Sequence, residues 1–99
     1  MDPTVLSTAI IVWTGWGETN SPSRDQARLL DRFGSEVTVE LLPTIRQLED
    51  EFYASDARDV VADLKEMGDR AATQFRSKHP EISQEAIRAL SWCYTFDYK

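Results

Sequence analysis

Two pairs of carboxylates have the spacing that places both members on one face of a helix. Glu36 and Glu40 form one pair, and Asp59 and Asp63 form the other, each four residues apart. Four carboxylates brought together by two packed helices could hold Mg²⁺, because this cation prefers oxygen ligands and can activate water for hydrolysis. In a chain with 28% charged residues such pairs also arise by chance, so the spacing by itself is weak evidence for a metal site.

These pairs resemble the carboxylate pairs of the Mg-dependent, all-helical nucleotide pyrophosphohydrolases. The resemblance is confined to the four residues and implies an enzyme that hydrolyses a nucleotide. No basic cluster that could bind a triphosphate accompanies them in the sequence. A hydrolase of this kind is therefore an alternative function for the chain.

Residues of the other catalytic types form no constellation. The single histidine, His79, precedes Pro80 in a predicted loop and has no nucleophile motif beside it. The single cysteine, Cys93, falls on the inward face of the last predicted helix, where a thiol behaves as a small hydrophobic group. The segment Gly15-Trp16-Gly17 lacks the glycine spacing of a phosphate-binding loop. We therefore expect no enzymatic activity, no catalytic residue, no metal site and no cofactor.

The negative charge of the chain is concentrated in one segment. The 99 residues include 17 acidic and 11 basic side chains, for a net charge of -6. Residues 49–69 hold eight of the acidic and two of the basic side chains, so this segment has the net charge of the whole chain. At about 100° per residue, one helix through this segment would place four carboxylates within an arc of about 80°, on the face opposite its apolar stripe. These four are Asp56, Asp59, Asp63 and Glu66, with Arg70 as the internal counter-charge of Glu66.

The preceding predicted helix ends in Glu49-Asp50-Glu51, where the helix dipole disfavours anions. Local stability does not explain carboxylates at that position, so we interpret the segment as a docking surface for a basic protein. Tyr53 is the nearest aromatic residue, of the type that interface hot spots favour. A solvated face that keeps the protein soluble is the alternative interpretation. The predicted partner-binding residues are Glu49, Asp50, Glu51, Tyr53, Asp56, Asp59, Asp63 and Glu66.

The acidic balance argues against nucleic acid and against an anionic membrane as the partner. The longest apolar run, Ala9 to Trp13, is far shorter than the roughly 20 residues that a membrane span needs. The first basic residue is Arg24, so the amino-terminal segment does not have the pattern of a secretory signal. We therefore expect a cytoplasmic protein.

Apolar residues at helical spacing predict an all-α fold, a compact single-domain bundle of about five helices over residues 1–99. The first helix is capped by Asp2, begins at Pro3 and ends at Gly15. The second begins with a capping box at Ser23 to Gln26 and ends at Gly34. Short strands near residues 5–14 and 36–41 are the alternative, because both segments contain β-branched residues; the fold would then be α+β.

The third predicted helix runs from about residue 35 to residue 54 and is kinked or broken at Pro43. The clearest helix runs from Asp56 to Phe75, and Ser83 caps the last one. The apolar stripe of the clearest helix consists of Ala57, Val60, Val61, Leu64, Met67, Ala71 and Phe75.

In its length, its net charge and the general character of its sequence, the chain resembles the small bacterial immunity proteins of contact-dependent growth inhibition and related polymorphic toxin systems. The resemblance is carried by the segment His79-Pro80-Glu81-Ile82-Ser83, by the ending from Ala89 to Lys99, and by the outward carboxylates of Asp56, Asp59, Asp63 and Glu66. Immunity families share no common fold, so the resemblance assigns no residue a role. It implies a protein that binds and neutralises a toxin, often a basic nuclease. An acidic adaptor or a DNA mimic is a further alternative.

Overall fold

Every element of secondary structure in the described part of the chain is a helix. The structure is a computed structural model, and it describes residues 2–60 and 62–98. The helices are α1 (Pro3–Thr14), α2 (Gln26–Tyr53), α3 (Ala57–Val60), α4 (Leu64–Lys78) and α5 (Gln84–Asp97). The predicted all-α class is confirmed, and the strand alternative is wrong because residues 5–14 and 36–41 lie in α1 and α2. Helix α3 is a single turn, so the described residues form four long helices where about five were predicted.

Helix α1 begins and ends where its sequence signals predict. The Asp2 carboxylate accepts a hydrogen bond from the Thr4 backbone N–H at 2.8 Å, and Pro3 occupies the first turn. Gly15 ends the helix with φ 83°, a left-handed conformation that glycine adopts without strain. The Arg28 guanidinium donates to the carbonyl oxygens of Val12 at 2.9 Å and Trp13 at 3.0 Å. The same two carbonyl oxygens also accept from the Gly15 and Asp25 backbone N–H groups, and the Arg28 bonds join the end of α1 to α2.

Helix α2 changes direction at Gly34 and continues through Pro43. Gly34 has φ 80° and ψ 167°, which lies outside the helical region, so α2 is kinked at the glycine where a helix end was predicted. At Pro43 a kink or a break was predicted, and the break is wrong because α2 continues through this residue. A proline at this position removes the hydrogen bond to the carbonyl of Val39, but Val39 is 70% exposed, so water can hydrate that carbonyl.

The start of α2 differs from the prediction by two residues. The Asp25 carboxylate, and not the Ser23 hydroxyl, accepts from the Ala27 backbone N–H and caps the helix. Leu29 is buried in the core, whereas its neighbour Leu30 is 41% exposed.

The prediction of one unbroken helix from Asp56 to Phe75 is wrong. The chain leaves the helical conformation after Val60 and resumes it at Leu64. The Asp63 carboxylate accepts from the first backbone N–H groups of α4, and aspartate favours such a cap over the interior of a helix.

The predicted apolar stripe holds in α4 but not before it. Met67, Ala71 and Phe75 are buried, as predicted, whereas Val60 is 58% exposed. Val61, which the prediction placed on the stripe, lies outside the described residues.

Helix α5 lies at the centre of the bundle, where it contacts α1, α2 and α4. Its start is fixed as predicted by Ser83, whose hydroxyl accepts from the Ala86 backbone N–H at 3.1 Å. The buried hydroxyl of Ser7 in α1 accepts from the Ser83 backbone N–H at 2.9 Å and joins the two helices. Cys93 faces inward as predicted, and it is buried together with Ala86, Ile87, Leu90 and Tyr94.

Candidate interaction surface

The eight residues predicted to bind a partner do not form one ridge. Glu51 contacts His79 beyond the last turn of α4, whereas Asp63 caps the first turn of α4. A helix of 15 residues is about 22 Å long, so these two carboxylates lie near opposite ends of α4. Four of the eight side chains are bonded to other parts of the fold, namely Glu49, Glu51, Tyr53 and Asp56.

Glu49 and Tyr53 belong to an ionic cluster around Arg24. The Arg24 guanidinium donates to Glu49 Oε2 at 2.8 Å, to the Tyr53 hydroxyl at 2.8 Å and to Asp97 Oδ2 at 2.9 Å. The Tyr53 hydroxyl donates to the same Asp97 oxygen at 2.5 Å. This cluster joins the segment before α2, the end of α2 and the end of α5.

The pKa values of Arg24 and Tyr53 are both raised in this cluster. Burial of Arg24 acts to lower the pKa of the guanidinium, but the bonds to Glu49 and Asp97 outweigh that effect, and the pKa is raised. Burial and the bond to Asp97 raise the pKa of Tyr53 well above its usual value. Arg24 is therefore charged and Tyr53 neutral at neutral pH.

Glu51 is held by the single histidine. His79 Nε2 contacts Glu51 Oε2, and His79 Nδ1 lies 3.3 Å from Glu81 Oε1. The imidazole ring also lies against Phe75, with 4.9 Å between the ring centroids. The sequence predicts His79 only as a loop residue, whereas in the structure it joins the end of α2 to the loop between α4 and α5.

Asp56 is held by α4. Its carboxylate accepts from Arg70 Nε at 3.0 Å, from Arg70 Nη2 at 3.2 Å and from Gln74 Nε2 at 2.7 Å. These bonds lower the pKa of Asp56 to about 2. Arg70 is therefore a counter-charge of the predicted acidic face, as expected, but the carboxylate that it pairs with is Asp56 and not Glu66, which lies four residues before it.

The remaining carboxylates are exposed. Asp59, Asp63 and Glu66, which we call the acidic junction, lie where α3 gives way to α4. None of the three forms an ion pair with a described side chain. Asp50 is also exposed but lies in the last turn of α2. Of the predicted surface, the acidic junction is the part where several carboxylates lie close in sequence and none forms an ion pair with a described side chain.

The carboxylate pairs of the hydrolase alternative do not come together with a third ligand. Glu36 and Glu40 are exposed on α2, and Asp59 and Asp63 belong to the acidic junction. Within residues 2–60 and 62–98, no group of three His, Cys, Asp or Glu side chains could hold a metal ion. Cys93 is buried, and burial raises the pKa of its thiol to about 12, which keeps it protonated at neutral pH.

A groove between α4 and α5 is the feature that sequence reasoning missed. We call it the tryptophan groove; its volume is about 630 Å³. Trp16 and Trp92 meet edge to face in its wall, with 5.4 Å between the ring centroids. The only sequence signal for it is Trp16, a large aromatic residue in a predicted loop. The other lining residues are Asn20, Leu64, Lys65, Asp69, Arg88, Ser91, Thr95 and Phe96.

No helix in the described part of the chain has both the length and the apolar character needed to cross a membrane. In comparisons with known proteins, no family model, no curated protein and no solved structure matches the chain.

Proposed function

We propose that this protein binds a basic protein partner through the acidic junction and acts as an inhibitor of the immunity-protein type. Its target would be a toxin domain, such as a nuclease, whose active site presents cations to the phosphates of a nucleic acid. A carboxylate surface that covers those cations blocks the access of the nucleic acid.

The observation that supports this proposal is the contrast between Asp56 and the acidic junction. Asp56 is neutralised by Arg70, whereas Asp59, Asp63 and Glu66 are exposed without an ion pair to a described side chain. A basic partner would supply the cations that these carboxylates lack among the described side chains. The end of α2 offers fewer free carboxylates to a partner, because Glu49 and Glu51 already contact Arg24 and His79.

Association with such a partner should be fast and sensitive to salt. Complementary charges steer the encounter of two proteins and raise the association rate. Screening reduces the reach of the field from ~10 Å at 0.1 M salt to ~3 Å at 1 M. The rate of association should therefore fall steeply as salt is raised, whereas the rate of dissociation should change little.

Charge reversal at two exposed positions tests the surface. We expect Asp59→Lys with Glu66→Lys to weaken binding by about tenfold or more, a cost of ~1.4 kcal/mol. Asp63 is changed to Asn in a separate variant, because asparagine also caps a helix and so removes only the charge. The matched control is Glu36→Lys with Glu40→Lys, which changes the net charge equally at exposed positions of α2.

The partner is first identified by co-purification from cells that naturally produce the protein, and affinities are then measured by titration calorimetry. Growth of cells that express the partner, with and without this protein, tests the inhibitory role. Equal loss of affinity in the junction and control variants would show that only net charge matters. A partner that lacks basic character, or one whose toxicity this protein does not relieve, would contradict the proposal.

A further inference from the structure

The wall of the tryptophan groove is mainly aromatic and partly exposed. Trp16 and Trp92 are half-buried, and Phe96 is 39% exposed. A second hollow, of about 410 Å³, continues the groove past the same tryptophan pair and is lined also by Gly17 and Thr19. Sites for small molecules have volumes of roughly 300–1,000 Å³ and are lined by apolar and aromatic side chains with a few polar groups. The groove has this composition and size.

The charged residues of the groove differ from those of the surface around it. Lys65 on α4 and Arg88 on α5 line it from its two helical walls, and Asp69 is its single carboxylate. Both cations are exposed, and neither forms an ion pair with a described side chain. On a protein with a net charge of -6, the groove thus presents two cations and one anion.

The two helical walls are held at a fixed, short separation. A Cβ atom at Gly68 in α4 would lie 2.8 Å from Ser91 Oγ and 2.8 Å from Thr95 Cγ2 in α5. The helices therefore touch directly at the glycine, and Ser91 and Thr95 also line the groove. Close contact of this kind leaves the groove preformed, which lowers the entropic cost of binding a ligand.

We propose that the tryptophan groove binds a small planar aromatic molecule that carries an anionic group. The ring lies against Trp16, Trp92 and Phe96, because indole and phenyl faces bind flat apolar rings. The anionic group, a carboxylate, phosphate or sulfonate, faces Lys65 and Arg88. This site selects a ligand of opposite charge to the proposed basic partner, although Lys65 lies between Asp63 and Glu66 of the acidic junction.

The test uses three probes and the indole N–H signals of the intact protein in two-dimensional NMR. Naphthalene-1-sulfonate has both ring and anion, 1-naphthalenemethanol has the ring alone, and inorganic sulfate has the anion alone. We expect naphthalene-1-sulfonate to shift the signals of Trp16 and Trp92 in a saturable manner. Trp13, which is 4% exposed in the core, should not move and serves as the internal control. The neutral probe should bind several-fold more weakly, and sulfate should leave all three signals unchanged.

Charge variants test the assignment of the anionic group. Lys65→Gln and Arg88→Gln should each weaken binding of naphthalene-1-sulfonate by about two- to fivefold, the usual contribution of an exposed ion pair. Asp69→Asn should strengthen it, because it removes the one repulsive charge. Lys78→Gln, an exposed lysine that does not line the groove, is the matched control and should have no effect.

Equal binding of the charged and neutral probes, or equal affinities in the Lys65, Arg88 and Lys78 variants, would overturn the proposal. So would shifts that include Trp13, because they would report a general disturbance of the fold. Circular dichroism of each variant checks that the helices are intact, and all four substituted side chains are exposed.

Discussion

A single carboxylate illustrates how the fold uses charge at the residue scale. Asp56 accepts hydrogen bonds from Arg70 and Gln74, and these bonds lower its pKa from 3.8 to about 2. A carboxylate whose pKa is lower in the folded state stabilises the fold wherever it is ionised. This stabilisation is present above about pH 4, and it is lost as the pH falls toward 2 and the folded protein takes up the proton.

We expect Asp56→Asn to lower the stability of the protein at pH 7 and to flatten its pH dependence between pH 4 and pH 2. The amide keeps the shape of the side chain but cannot form the ion pair with Arg70. Urea unfolding of both proteins at several pH values measures the effect. Asp50→Asn is the control, since Asp50 is exposed and forms no ion pair with a described side chain. Parallel pH profiles for the parent protein and Asp56→Asn would refute the role of this bond.

At the scale of elements, the close contact of α4 with α5 depends on Gly68. Replacing a glycine inside a helix by alanine usually stabilises the helix by about 1 kcal/mol. At Gly68 the added methyl group would lie 2.8 Å from both Ser91 Oγ and Thr95 Cγ2, so these side chains must rotate away or the helices must separate. We expect Gly68→Ala to lower the free energy of unfolding by about 1–3 kcal/mol, the usual cost of overpacking.

The change can be reversed from the other helix. Ser91→Ala with Thr95→Ser removes the two atoms that the new methyl group meets. We expect these substitutions to restore part of the lost stability in the Gly68→Ala background and to have little effect alone. Denaturant unfolding of the four proteins completes this cycle. A stabilising Gly68→Ala would contradict this prediction, because it would show that α5 accommodates the methyl group without strain.

Elements whose ends depend on local residues are the ones that sequence reasoning predicts. The caps at Asp2 and Ser83 and the breaks at Gly15 and Gly34 follow from the chemistry of single residues and were found where predicted. The interruption before Asp63 was missed because the apolar spacing runs through it, and aspartate is compatible with a helix face and with a cap. The choice between the two depends on tertiary contacts, here Asp56 with Arg70 and Gln74.

At the scale of the whole molecule, distant parts of the chain decide which charges remain on the surface. The radius of gyration is 13.1 Å, close to the roughly 13 Å expected of a compact domain of 100 residues. Sequence reasoning identified the acidic segment but could not show which of its carboxylates are paired. Arg24, for example, lies 25 residues from Glu49 and 73 from Asp97. The tryptophan groove escaped prediction for the same reason, since Trp16 and Trp92 are distant in sequence.

The last prediction concerns Tyr53, which the sequence predicts as an interface anchor. Its hydroxyl joins Arg24 to Asp97, and its ring meets Tyr94 edge to face, with 5.2 Å between the centroids. We expect Tyr53→Phe to lower the free energy of unfolding by about 1–3 kcal/mol, because the partly buried charged groups lose a hydrogen-bond partner while the ring still packs. Thermal and denaturant unfolding measure this.

Tyr94→Phe is the matched control, because it removes a hydroxyl that is buried and has no hydrogen-bond partner within the described residues. This variant should be neutral or slightly stabilised, since a buried polar atom without a partner costs free energy. Equal losses in both variants would mean that the Arg24 cluster adds nothing to stability. If Tyr53→Phe instead weakened binding of the basic partner and left stability unchanged, Tyr53 would be the interface anchor that the sequence predicts. The pair of variants therefore separates the contribution of Tyr53 to the fold from its contribution to the surface.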